Sequence, residues 1–125
     1  MTSLKEMVSS ANDEVARVTA EEAHELISGR DALLLDVRDA PELMPLGKLR
    51  GALNVSRGML EFRPDPNGTY HNPEFRKERP VVLYCASGGR SALAGKTLQD
   101  MGYAEVYNLG GFKDAADAGF PTEPA

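Results

Sequence analysis

A lone cysteine at the start of a glycine-rich loop is the feature of this sequence best suited to chemistry. Cys85 is the only cysteine among 125 residues, and it follows a β-branched and aromatic run at 81–84. After it come Ala86-Ser87-Gly88-Gly89-Arg90-Ser91 and then a helical pattern. Ligands bind where strands of a parallel α/β fold end, and the N-terminus of the next helix supplies unpaired N–H groups with partial positive charge. This position is typical of a nucleophile.

The residues of the loop favour a thiolate at Cys85. Gly88 and Gly89 let backbone N–H groups turn inward as an anion-binding nest, and Arg90 adds a permanent positive charge with donors suited to an oxyanion. We therefore predict that the pKa of Cys85 is lowered and that this residue is a nucleophile. The alternative is an inert structural cysteine, because free cysteines are often buried. The Gly-Gly-Arg sequence that follows favours the nucleophile.

Composition and charge exclude several other kinds of protein. The 14 basic and 19 acidic residues give a net charge of −5, whereas a nucleic-acid interface needs clustered excess basic residues. One cysteine and two histidines without ligand spacing form neither a disulfide framework nor a zinc site, so we expect no metal and no organic cofactor. No apolar run approaches the roughly 20 residues of a membrane span, and the first ten residues do not resemble a secretory signal. We expect a cytoplasmic protein that contacts no membrane.

The order of the predicted elements indicates an α/β layer fold with a mainly parallel sheet. A capping box of Thr19 and Glu22 opens a helix, and apolar runs too short for typical helices predict buried strands. The elements follow in this order: the capped helix ending at Gly29, strands at 32–37 and 52–55, a proline-rich loop at 63–73, a strand at 81–84, a helix at 92–101, a strand at 105–108 and a short helix ending near Gly119.

Several stretches together resemble the rhodanese (sulfurtransferase) superfamily, in particular its small single-domain members. They include Leu35-Asp36-Val37-Arg38, Gly47-Lys48-Leu49-Arg50-Gly51-Ala52 and Val82-Leu83-Tyr84-Cys85 with the loop after it. Each motif alone is weak, but their order and spacing are specific, and the likeness covers residues 17–121. We divide the chain into a polar N-terminal segment (1–16), which either frays or forms a short leading helix, a rhodanese-like domain (17–121) and a C-terminal tail (122–125).

The resemblance implies a three-layer fold of about five mainly parallel strands with helices on both faces. It also implies a thiosulfate sulfurtransferase-type enzyme, in which Cys85 takes sulfur from thiosulfate or a protein persulfide, becomes a persulfide, and passes the sulfur to cyanide or a thiol. The implied site has Cys85 as the catalytic residue and six substrate-binding residues: Ala86, Ser87, Gly88, Gly89, Arg90 and Ser91. The expected partners are a small sulfur-containing anion and a thiophilic acceptor, which a sulfur-relay protein could supply. We expect a monomer or a weak dimer.

Other functions fit parts of the same sequence. A dual-specificity-type phosphatase or an arsenate reductase uses a Cys-x5-Arg loop, whereas four residues separate Cys85 from Arg90, and the shorter loop suits a single sulfur better than a phosphate. A non-catalytic rhodanese-like binding module typically lacks the cysteine. Gly95-Lys96-Thr97 suggests a nucleotide-binding P-loop, but Arg90 stands where that loop needs its first glycine. We interpret Gly95 as a helix residue.

Two further predictions concern residues outside the loop. Asp36 and Arg38 leave a central strand, and we predict that they form a structural pair rather than a catalytic one. His71 lies in the proline-rich loop and is predicted to be a surface residue. Three arginines, Arg50, Arg57 and Arg63, could add positive charge near an anion site, but the sequence does not place them relative to Cys85.

Overall fold

A computed structural model describes residues 2–125 of the chain. The elements follow one another as α1 (Leu4–Glu14), β1 (Ala16–Arg17), α2 (Ala20–Arg30), β2 (Leu33–Asp36), α3 (Ala40–Leu46), β3 (Lys48–Leu49), β4 (Leu53–Asn54), a 3-10 turn (Arg57–Met59), β5 (Val81–Cys85), α4 (Gly89–Asp100), β6 (Val106–Gly111), α5 (Phe112–Asp117) and β7 (Thr122–Glu123). The N-terminal segment thus contains a helix, although Met1 lies outside the described residues.

Within residues 2–125, a five-stranded sheet has the order β1-β6-β5-β2-β4, and all of its pairings are parallel. This confirms the predicted parallel α/β architecture. Because the strands run in one direction, their carboxyl ends share one edge of the sheet. This carboxyl edge is formed by Arg17, Asp36, Asn54, Cys85 and Gly111.

Helices cover both faces of the sheet, as the resemblance implied. On one face, Val15 after α1 and Ala94 and Leu98 of α4 pack on the side chains of β2 and β5. On the other face, Ala23 of α2 and Ala115 of α5 join a second apolar cluster. The five residues of β5 are all buried, because a central parallel strand has helices on either side.

Local signals set the ends of several helices. The Thr19–Glu22 capping box forms as predicted. Helix α2 continues one residue past Gly29, because Asp31 adopts a left-handed conformation (φ 54°) and ends the helix there. Helix α4 begins at Gly89, three residues before the predicted start at position 92. The cysteine loop is correspondingly short.

The sequence did not predict α3 or the two-stranded antiparallel sheet of β3 and β7. Helix α3 contains two prolines, Pro41 in its first turn and Pro45 near its end. Proline is tolerated in a first turn because the N–H groups there have no intrahelical partner. The small sheet pairs Leu49 with Thr122, so residues of the C-terminal tail pack against the segment after α3.

Candidate active site

The cysteine loop lies at the centre of the carboxyl edge, between the last residue of β5 and the first turn of α4. Its backbone turns at Gly88, whose φ is +101°, a left-handed conformation that favours glycine. A Cβ at Gly88 would lie 3.4 Å from the Cα of Gly110, so the loop also packs closely on the end of β6. This turn directs the first N–H groups of the loop and helix toward Cys85.

Cys85 Sγ is surrounded by hydrogen-bond donors from its own loop. The N–H of Gly88 donates to Sγ at 3.0 Å, and the N–H of Ser91 lies 3.4 Å away. Ser91 Oγ is also 3.4 Å from Sγ. Burial raises the pKa of the Cys85 thiol, but hydrogen bonds from the Ser91 hydroxyl and from the N–H groups of Ser91, Gly88 and Ser87 outweigh it, so the net pKa is lowered.

Burial alone does not distinguish the nucleophile from an inert cysteine, because Cys85 is fully buried. The donors around Sγ favour the nucleophile, since an apolar core would offer a thiol none of these N–H groups. The side chains of Ala86 and Ser87 are exposed above the buried sulfur.

Asn108 holds the loop from below, and the sequence analysis did not identify it. This fully buried residue of β6 accepts a hydrogen bond from the Gly110 N–H at 2.9 Å, and its Oδ1 lies 2.8 Å from Ser91 Oγ, whose single proton is donated either to Oδ1 or to Cys85 Sγ. Its Nδ2 donates to the Gly88 carbonyl at 3.2 Å. The signal was a single amide side chain within an apolar strand, since buried polar groups need partners.

Arg90 makes an ion pair outside the anion-binding part of the loop. Its two terminal nitrogens donate to the carboxylate of Glu42 in α3, at 2.7 and 2.8 Å. The hydrogen bonds from Arg90 lower the pKa of Glu42 to about 2. In this geometry Arg90 braces the loop against α3, and its charge is compensated. Glu42 was not identified from the sequence because α3 was not predicted.

Asp36 and Arg38 form a buried ion pair, as the sequence predicts. Arg38 Nη2 donates to Asp36 Oδ2 at 2.7 Å and to the Gly47 carbonyl at 2.8 Å. The guanidinium also lies over the ring of Phe112, 4.4 Å from its centroid. This pair joins β2 to the start of β3 and to α5, near the loop but without contact to Sγ.

The remaining candidates have partners other than the cysteine loop. Gly95 lies inside α4 and not in a loop, which excludes a P-loop. A Cβ at this position would be 2.9 Å from a methyl group of Val15, so packing accounts for the glycine. His71 and Tyr103 line a cavity of about 390 Å³. Tyr103 follows the C-terminal end of α4, and the cysteine loop lies at the other end of that helix, about 18 Å away along its axis. Arg57 pairs with Glu61. Among residues 2–125, no cluster of metal-ligating side chains is found, and no helix is long and apolar enough to cross a bilayer.

Comparison with known proteins identifies the class to which this fold and site belong. The family model of the rhodanese-like domain matches residues 19–118, and the chain belongs to this family. It is 34% identical to the thiosulfate sulfurtransferase GlpE of Actinobacillus succinogenes, over 86% of this chain and 90% of that protein. This confirms the family that the sequence resembles.

Two solved structures extend over nearly all of the chain. A protein of unknown function from Rhodopseudomonas palustris, described as a possible tyrosine phosphatase, has 41% identity and a TM-score of 0.89, over 98% of this chain and 96% of that chain. The polysulfide-sulfur transferase homodimer of Wolinella succinogenes has 33% identity and a TM-score of 0.77, over 97% and 87%. The fold is thus shared with a sulfurtransferase and with a protein of open function.

Other relatives are longer than this chain. The match to YqhL of Bacillus subtilis has 40% identity over 67% of this chain and covers 60% of YqhL. The match to the tRNA uridine(34) hydroxylase of Aster yellows witches'-broom phytoplasma has 32% identity over 87% of this chain and covers 34% of that enzyme. The chain therefore spans only part of the length of these relatives.

Proposed function

We propose that the chain is a sulfurtransferase that carries sulfane sulfur as a persulfide on Cys85. The observation that supports this most is the ring of donors around Sγ, formed by the N–H groups of Gly88 and Ser91 and the hydroxyl of Ser91. Such donors stabilise a thiolate and, after sulfur transfer, the negative charge of a persulfide.

The reaction balances without an external oxidant or base. The thiolate of Cys85 attacks the outer sulfur of thiosulfate, a new S–S bond forms, and the old S–S bond breaks with its electron pair leaving on sulfite. A nucleophilic acceptor such as cyanide or a thiolate then attacks the outer sulfur of the persulfide and releases the Cys85 thiolate. The thiosulfate sulfurtransferase GlpE and the polysulfide-sulfur transferase are the relatives that support this chemistry.

A phosphatase is the second candidate, because the Rhodopseudomonas palustris relative is described as a possible tyrosine phosphatase. Two observations disfavour it. The terminal nitrogens of Arg90 donate to Glu42 rather than to an anion above Sγ. Asp36, whose strand lies next to that of Cys85 and which would be a candidate general acid, is bound to Arg38. Sulfur transfer leaves the ion pairs of Arg90 and Asp36 in place, whereas the phosphatase reaction would require both residues to change partners.

The test is the intact mass of the purified protein before and after thiosulfate, with cyanide added last. We expect the mass to increase by one sulfur atom and cyanide to remove it. Cys85→Ser should gain no sulfur while its circular dichroism spectrum stays that of the wild type. Hydrolysis of p-nitrophenyl phosphate is measured in parallel. Phosphate release that depends on Cys85, with no gain of sulfur from thiosulfate or polysulfide, would replace the proposal with the phosphatase.

A further inference from the structure

Arg17 lies beside the cysteine loop, although no motif of the sequence indicated it. It is the last residue of β1 and is paired with Asn108 in the register of the sheet. Its Nη2 donates to the Leu109 carbonyl at 3.5 Å. A Cβ added to Gly110 would be 2.5 Å from Nη2, and one added to Gly88 would be 4.0 Å from Nη1. The guanidinium therefore lies across two glycine backbones at the rim of the loop.

The distance from Arg17 to the reactive sulfur follows from these contacts. The Gly88 N–H donates to Sγ at 3.0 Å, and the Gly88 Cβ position is 4.0 Å from Arg17 Nη1. Two bonds of roughly 1.5 Å each join the Gly88 nitrogen to that Cβ position. Added end to end, these distances place Arg17 Nη1 no more than about 10 Å from Sγ.

Unlike Arg90, Arg17 makes no ion pair within the described residues, although Glu22 and Asp114 line the same cavity as Arg17. None of the ion pairs formed among residues 2–125 includes Arg17. Its side chain is exposed, and one weak hydrogen bond leaves most of its donors free. The carboxylate of Glu42 neutralises Arg90. Arg17 is therefore a cation with free donors at the rim of the site, in a protein whose net charge is −5.

Gly110 is what allows this placement. Its φ is +101°, and any side chain there would collide with the Arg17 guanidinium. Gly88 likewise has no side chain between the guanidinium and the loop. Because both residues are glycines, no side chain lies between the Arg17 guanidinium and the backbone of the loop.

We propose that Arg17 recognises the anionic group of the sulfur donor, and that it selects donors whose negative charge is set back from the transferred sulfur by one or two atoms. Thiosulfate and thiosulfonates have this form, and each contains the S–S bond that the transfer breaks. The inference rests on the proposed function. Three distances separate Cys85 Sγ from the guanidinium when such a donor is bound. The thiolate attacks the outer sulfur from about 3.3 Å, the S–S bond is about 2 Å long, and the N–H···O⁻ contact is about 2.8 Å. Together they bring the oxyanion of the donor within reach of Arg17.

The test compares Arg17→Gln with the wild type in two assays. The first is the rate constant for persulfide formation from thiosulfate. The second is the ratio of the Cys85 alkylation rates with iodoacetate and with iodoacetamide, two reagents that differ chiefly in negative charge. We expect Arg17→Gln to lower the thiosulfate rate constant and the iodoacetate to iodoacetamide ratio about fivefold each, as for a partly screened charge contact. The iodoacetamide rate should not change.

Arg57→Gln is the matched control, because it removes the same charge from a residue held by Glu61 and Thr97. It should leave both readouts at the wild-type value. An equal loss with both alkylating reagents in Arg17→Gln would overturn the inference, because Arg17 would then act on the thiolate or the loop. A wild type that takes no sulfur, with a ratio that still falls in Arg17→Gln, would refute the sulfurtransferase while supporting anion recognition by Arg17.

Discussion

The carboxylate of Glu42 accepts two hydrogen bonds from the guanidinium of Arg90, so that α3 is fixed to the first turn of α4. The two residues are 48 positions apart in the chain. Because Arg90 is the second residue of α4, this bidentate pair holds the end of the cysteine loop. The position of the N–H groups that surround Cys85 Sγ therefore depends on a helix outside the loop.

The Glu42–Arg90 pair predicts a pH-dependent contribution to stability. The pKa of Glu42 is lowered from 4.5 to about 2 in the folded protein. A carboxylate with a lowered folded-state pKa stabilises the fold above its unfolded-state pKa, and the contribution is lost as the pH falls from about 4.5 toward 2. We expect about 1 kcal/mol or less, because a pair that is a third exposed is screened by solvent.

Glu42→Gln should lack this contribution. Urea unfolding of both proteins at several pH values between 5 and 2.5 measures it, and the free-energy difference between wild type and variant should shrink as the pH falls. Glu61→Gln, which removes an exposed ion pair with Arg57, serves as a control for the general effect of losing a surface carboxylate. A Glu42→Gln curve parallel to the wild-type curve would contradict the prediction.

Ser91→Ala should raise the pKa of Cys85. The Ser91 hydroxyl lies 3.4 Å from Sγ and is one of the groups that lower this pKa against the effect of burial. Its loss leaves backbone N–H groups as the donors to the thiolate. The midpoint of the pH dependence of iodoacetamide alkylation should therefore move to higher pH. Ser56→Ala removes a hydroxyl that makes no cap hydrogen bond in the 3-10 turn, and its midpoint should equal that of the wild type.

The sequence predicted the parts of the molecule whose signals are local. The apolar run before Asp36 and the run before Cys85 each form a buried parallel strand. The Thr19–Glu22 capping box needs only residues three positions apart, and it forms. The cysteine loop was located correctly because glycine turn, strand end and helix start are all encoded within a few residues. These features required no knowledge of distant contacts.

The residues that the sequence did not reveal act across the fold. Glu42, Asn108 and Arg17 reach the loop only because three other elements end beside it. Asn108 contacts Ser91, 17 positions away. Arg90 also has a distant partner: the sequence suggests that it either braces the loop or binds the anion, and in the structure it pairs with Glu42 of α3. Residues that meet through tertiary contacts are separated by no characteristic number of positions, so the sequence pattern does not reveal them.

Asn108→Ala should displace the loop and not merely weaken the fold. The substitution removes the donor to the Gly88 carbonyl and the acceptor for Ser91 Oγ, so the N–H groups of Gly88 and Ser91 lose their alignment on Sγ. We expect a loss of about 1–3 kcal/mol in the free energy of unfolding, from buried groups left without partners. The alkylation midpoint of Cys85 should also move to higher pH.

Asn54→Ala is the matched control for Asn108. Asn54 also lies at the carboxyl edge, where its Nδ2 donates to the carbonyls of Asp36 and Arg38 at 3.0 and 2.9 Å, but it does not touch the loop. It should lose stability without a change in the alkylation midpoint. Equal midpoints for the two variants would show that Asn108 has a structural role only.

Gly95→Ala should destabilise the protein, although alanine is the better helix former by roughly 1 kcal/mol. An added Cβ would be 2.9 and 3.1 Å from the two methyl groups of Val15 and 3.3 Å from a methyl group of Val106. Val15 is fixed between α1 and the sheet, so it cannot move aside easily, and overpacking of this kind costs about 1–3 kcal/mol. The melting temperature should fall.

Gly29→Ala should not destabilise the protein, because this helical glycine faces open space. No heavy atom lies within 4 Å of the added Cβ there, so the free energy of unfolding of the variant should stay the same or rise by up to about 1 kcal/mol from helix propensity.

If Gly95 belonged to a nucleotide-binding loop, magnesium-ATP would raise the wild-type melting temperature. We expect no change with magnesium-ATP and a lower melting temperature for Gly95→Ala alone, because contact with Val15 is what requires glycine at this position.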